Sequence, residues 1–179
     1  MNINHANRVI VGIDDSLAGL QAVREAVNAA RGRNTSLHAI RVLPVAPPYG
    51  WAVLPDPTEP ERAARQLIRD AFDRAVGGRP SDLEFHAVVR HGSAGPALTA
   101  YARSGDLLVL GRDRGLLSNV LGDGTVRHCT RHARCPVLVV PPPEMAAAGS
   151  VRRQVSRLRR DLRRLGEAGI DPKPSGTPG

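Results

Sequence analysis

Aromatic side chains are scarce in this chain of 179 residues: one Trp, two Tyr and two Phe, 3% of the sequence. The core must therefore rest on Val, Leu, Ile and Ala, a composition suited to buried parallel strands covered by helices. Cysteine is scarce too, with only Cys129 and Cys135. The first residues, MNINHANRVIVGIDDS, lack the charged stretch and long apolar segment of a secretory leader. No apolar run approaches the length of a membrane span. These absences point to a cytoplasmic protein with reduced thiols.

Several motifs are missing as well. There is no G-x-x-x-x-G-K-[ST] loop, and no G-x-G-x-x-G follows the first aliphatic run. Kinase-like and dehydrogenase-like readings lose support accordingly. No G-x-S-x-G nucleophile elbow occurs. His128, Cys129, His132 and Cys135 invite a metal reading, with the two histidines at i, i+4. The group lacks the paired C-x2-C elements of a structural zinc site, so no metal is expected there.

Hydrophobic residues make up 41% of the chain, enough for a sizeable core. The formal charge of +8 is unevenly spread. Residues 150–179 hold seven Arg and one Lys against three acidic residues, a balance of +5 that leaves +3 for the other 149. The basicity describes a tail more than a domain, and it does not imply a nucleic-acid-binding core.

The pattern along the chain alternates strands with helices. Arg8–Ile13 is an aliphatic run ending in Asp14-Asp15-Ser16, a buried strand followed by a cap-forming turn. A helix follows from Leu17 to Arg31, then a strand over Ser36–Leu43. Residues 44–60 hold six prolines and read as a loop. Glu61–Val76 is helical, Leu83–Arg90 a strand, and Ala94–Arg103 a helix with Pro96 in its first turn. Asp106–Gly111 is the fourth strand; a polar, glycine-containing loop runs to Gly124, and a helix continues to about Ala133. Pro136–Val140 is the fifth strand, and three prolines close a domain of residues 1–143. The order predicts an α/β fold with a five-stranded, parallel, doubly wound sheet.

In such sheets ligands bind beyond the carboxyl ends of the strands, where the strand order switches. Two segments converge there: Asp14–Ser16 and Gly111–Thr125. Gly124-Thr125 opens a helix, so free backbone N–H groups, the helix dipole and a hydroxyl meet in a place suited to phosphates. On spacing alone, the same glycines serve equally well as plain turns.

Residues 8–141 resemble the universal stress protein family. The likeness rests on Val-Gly-Ile-Asp14-Asp-Ser16, Ile40-Arg-Val42, Asp106–Gly111, the Gly111–Thr125 loop and Cys135–Val140. It implies strand order 3-2-1-4-5 and an ATP site, with Mg2+ as a companion ion. The family's nucleotide signature is G-x2-G-x9-G-[ST], which Gly111 and Gly124-Thr125 match at its outer positions. Arg114 occupies the middle glycine position, with Gly115 one residue on. Arg114 either lends a cation to the phosphates or blocks the loop, or the turn slips so that Gly115 takes the role. Asp123 would repel a triphosphate unless turned away or bridged by metal.

The resemblance places Asp14 at the ribose or adenine, the backbone of Val42 at the adenine, and Gly111, Gly124 and Thr125 at the phosphates. From the residues alone, Asp14 is equally a helix cap and Val42 a buried strand residue. The family implies binding with a stress-response or signalling role rather than catalysis, with slow ATP hydrolysis at most. It also implies a homodimer formed through the Val137–Val140 strand. A branch of the family that lacks the signature does not bind ATP, and its counterpart here is a dimeric scaffold.

Residues 144–179 are the least family-like part. Val151, Val155, Leu158, Leu162 and Leu165 form one apolar stripe among arginines. This basic amphipathic helix is expected to dock on its own domain or dimer mate, on an acidic protein partner, on an anionic membrane surface or on nucleic acid.

Overall fold

The computed structural model describes residues 7–45, 58–112 and 123–143. The chain divides into two compact units, residues 1–143 and 144–179, and all described residues belong to the first. Its strands are β1 (Val9–Gly12), β2 (Leu37–Leu43), β3 (Phe85–His91), β4 (Leu107–Gly111) and β5 (Val137–Val140). Its helices are α1 (Leu17–Arg33), α2 (Glu59–Val76), α3 (Ala94–Tyr101) and α4 (Asp123–His132). All strand pairs are parallel, in the expected order β3-β2-β1-β4-β5.

Central strands read as unbroken aliphatic runs because each side chain is buried on one face or the other. Val9, Val11, Leu37, Ala39 and Val109 face the layer of α1 and α2. Ile10, Ile40, Leu108 and Leu110 face the opposite layer with Leu98 of α3 and Cys129 of α4. Helix α1 carries alanine at 18, 22, 26 and 30, all fully buried. That fourth-residue repeat puts small side chains on one helix face and lets it approach the sheet closely.

Local chemistry sets the helix ends. Ser16 caps α1, its hydroxyl oxygen accepting from the Gly19 N–H at 2.9 Å. Asn34 ends the helix in the left-handed region at φ 50° and donates back to Ala30 and Arg31. Helix α2 starts at Glu59, so the proline-rich loop gives way two residues earlier than its composition suggests. Pro60 lies within the first turn, where no intrahelical N–H bond is lost.

A polar cluster ties the strands together at their amino ends. The Arg8 guanidinium donates to Asp106 at 2.5 Å and 3.1 Å and to the Tyr101 carbonyl at 3.2 Å. Backbone N–H groups of Arg8 and Arg103 add 3.0 Å and 2.8 Å bonds to the same carboxylate. Beside them His38 bonds the Tyr101 hydroxyl at 2.7 Å and stacks on His86, its register partner, at 4.4 Å. Burial, aided by the charges of His86 and Arg8, pushes the His38 pKa down to about 4.

Candidate functional site at the β1–β4 switch point

The strand order reverses between β1 and β4, where β1 feeds a helix on one face and β4 a helix on the other. The opposite ends of the strands carry the Arg8–Asp106 pair, so the switch point is left to the β1–α1 and β4–α4 connections. In doubly wound sheets this is where a crevice opens.

Asp14, Ser16, Gly19 and Gly111 form one unit there. Asp14 Oδ1 accepts from the Ser16 N–H at 2.9 Å and the Ser16 hydroxyl at 2.6 Å. Ser16 is thus the cap, and Asp14 acts one step behind it. The carboxylate lies over Gly19, where an added Cβ would sit 1.9 Å from Oδ1. Among the described residues, Asp14 Oδ2 has no hydrogen-bond partner. From the other side, Gly111 presses on the same turn: a Cβ at 111 would lie 2.5 Å from the Gly19 nitrogen and 2.6 Å from the Ala18 carbonyl carbon. No side chain fits between β4 and α1 at that point.

Gly124 and Thr125 stand in the first turn of α4. Gly124 is exposed, and a Cβ there would meet nothing within 4 Å among the described residues. The two glycines therefore differ: packing demands one at 111, whereas none of the described residues crowds position 124. Val42 is half-buried and packs on the cluster around Ile40, Leu98 and Leu110. Arg114 and Gly115 lie outside the described residues, as does the Val151–Leu165 stripe.

Arg41 is the residue that sequence reasoning missed. Its guanidinium donates to the Ile13 carbonyl at 3.0 Å and reaches Asp15 at 3.8 Å, bracing the β1–α1 turn from β2. Its buried Nε has no partner among the described residues. The available signal was an arginine inside an aliphatic strand, Ile40-Arg41-Val42. An open groove of about 450 Å³ borders Asp14 on the α1–α2 side, where Asp15, Asp70 and Asp73 join it against Arg74. Four carboxylates and one cation make that groove unsuited to a polyphosphate.

The histidines and cysteines toward the end of the domain have other duties. Cys129 is buried, its thiol donating to the Gly95 carbonyl at 3.8 Å, and burial pushes its pKa up to about 11. His128 packs on Gly95, where a Cβ would lie 2.7 Å from the histidine Cβ. His132 is exposed, stacks on His128 at 4.4 Å and bonds the His128 carbonyl at 3.0 Å. Among the described residues, no three potential metal ligands stand together.

Comparison with known proteins decides the family, because residues 5–141 match the sequence profile of the universal stress protein family. The chain belongs to that family. Universal stress protein UspA from Lactobacillus plantarum superposes with a TM-score of 0.57 at 24% identity, covering 75% of this chain and 97% of that one. A universal stress protein crystallised in complex with cAMP gives 0.55 at 23% identity, over 77% and 98% of the two chains. A family member from Burkholderia pseudomallei gives 0.53 at 20%, over 77% and 97%. At these identities the likeness is one of fold. No curated protein matches the chain. No helix among the described residues is long and apolar enough to cross a membrane.

Proposed function

We infer that this universal stress protein binds an adenine nucleotide, ATP with Mg2+, at the β1–β4 switch point, in a stress-response or signalling role in the cytoplasm. One observation carries the reading. Asp14 and Gly111 converge on the same turn of α1, with Asp14 Oδ2 left over for a ligand. Gly124, which none of the described residues crowds, opens the helix that follows β4. A glycine in a helical turn is a cost unless something needs the space; a phosphate approaching the N–H groups of α4 needs it.

In this reading Asp14 receives the ribose or adenine and the backbone of Val42 lies along the adenine. Gly111, Gly124 and Thr125 surround the phosphates, with Arg114 and Gly115 completing the loop. The cAMP-bound relative supports an adenine ligand on this fold. The chain acts by binding rather than catalysis.

The β5 edge serves as the homodimer contact, with Leu138 exposed upon it. By contrast, the β3 edge has Arg65 donating to its Ala87 carbonyl at 3.2 Å. The basic stripe Val151–Leu165 docks on its own domain or on an acidic partner.

Calorimetric titration with ATP and Mg2+ tests the reading: saturable binding at one nucleotide per chain is expected, and no binding at millimolar ATP refutes it. A second reading draws on the packing role of Gly111, which explains that glycine without a ligand. In it the domain is a dimeric scaffold, and deleting residues 150–179 abolishes a partner contact while nucleotide has no effect.

A further inference from the structure

The charges of the folded domain are segregated between its two helical layers. Residues 14–33 and 58–84, which build the α1–α2 layer, hold eight arginines and nine acidic residues. Residues 92–112 and 123–136, around α3 and α4, hold five arginines and two acidic residues. One of those two, Asp106, is 3% exposed and already held by Arg8. The sequence-wide balance conceals this division because the neutral layer dilutes it.

The basic layer has an ordered stripe. Arg127 and Arg131 follow at i and i+4, so they share one side of α4, and Arg134 lies in the bend that joins α4 to β5. All three are exposed, with His132 beside them. None of the three forms an ion pair among the described residues, whereas Arg31 and Arg62 of the other layer each have a carboxylate partner.

We propose that this face of α4 binds the phosphate backbone of double-stranded nucleic acid. Guanidinium groups about one helical turn apart present a row of donors matched to phosphate oxygens. The large exposed apolar side chains of the described residues are Leu17, Val45, Val76 and Leu138, none of them on α3 or α4. A protein interface would need an apolar centre there, and a membrane contact would need apolar side chains to insert. No aromatic side chain lies on α4 to stack exposed bases, which favours a duplex over a single strand. The tail of this chain is itself basic, so like charge opposes its covering the stripe.

Fluorescence anisotropy with a short mixed-sequence DNA duplex and the full-length protein, over a range of salt, tests this. The variant Arg127→Ser/Arg131→Ser/Arg134→Ser removes three phosphate contacts, so the slope of log K against log salt should shrink by about 2.7. Between about 50 and 200 mM salt it should then lose about 40-fold less affinity than the wild type. Arg127→Gln and Arg131→Gln alone should each lower the slope by about 0.9, which keeps the test sharp should the triple variant fold poorly. An unchanged slope in these variants would overturn the proposal and assign any binding to the tail. Absence of duplex binding at low salt would also overturn it, as would equal displacement by polyglutamate, which would indicate an acidic polypeptide partner.

Discussion

Gly111 and Gly19 meet backbone to backbone: a Cβ on the first would lie 2.5 Å from the amide nitrogen of the second. This contact fixes β4 against the first turn of α1, the turn that Asp14 and Ser16 cap. It also separates two glycines that look alike in sequence. Gly111→Ala should destabilise the domain by about 3 kcal/mol, because the neighbouring atoms are backbone and cannot rotate away. Gly124→Ala should leave stability unchanged or raise it by up to about 1 kcal/mol. Urea unfolding of the two variants checks both, and equal losses would contradict the packing account.

The amino-end ion pair makes a second prediction. Arg8 and Asp106 are 15% and 3% exposed, and the carboxylate accepts from both the Arg8 and Arg103 backbones. Arg8→Met should cost about 3–5 kcal/mol by leaving a buried carboxylate without its cation. Arg8→Met/Asp106→Leu should recover much of that loss, since an apolar pair of similar volume avoids desolvation. A double variant no more stable than Arg8→Met, measured by thermal unfolding, would show that the backbone bonds to Asp106 dominate.

Acid sensitivity follows from His38. Its folded-state pKa of about 4 lies below the ordinary 6.5, so the unfolded chain binds more protons between those values. Stability is therefore fully present above about pH 6.5 and declines as pH falls toward 4. Burial alone would raise the Asp106 carboxyl, but the Arg8 side chain and two backbone N–H groups outweigh it and hold the pKa below the ordinary value. Its contribution is lost only at still lower pH. His38→Gln should flatten the pH 4–6.5 segment of a stability profile while leaving the steeper loss at lower pH. An unchanged segment would assign it to another group.

Much of the fold was legible because β1 and β4 are buried on both faces and so spell unbroken aliphatic runs. The start of α2 was not, since Pro60 reads as a loop residue although a first helical turn accepts it. The Arg8–Asp106 pair spans 98 positions, and no local pattern announces a contact of that reach. At the site, the sequence marked Asp14, Gly111 and Gly124 but left each with two explanations, a nucleotide contact or a plain cap or turn. The structure distinguishes them: Asp14 supports a cap, Gly111 admits a helix, and Gly124 is crowded by none of the described residues. Arg41 escaped notice because its partners, Ile13 and Asp15, lie on a different strand end.

The nucleotide reading is tested most directly by thermal unfolding of the wild type and Gly124→Val, each titrated with ATP and Mg2+. A ligand that binds only the folded state raises stability with concentration, by about 2.7 kcal/mol at a hundred times Kd. The wild-type midpoint should rise steadily. Gly124→Val should be folded without ligand yet show no rise, because its side chain occupies the space reserved for phosphate. A wild-type midpoint unmoved at millimolar ATP, or an equal rise in Gly124→Val, would contradict the nucleotide reading.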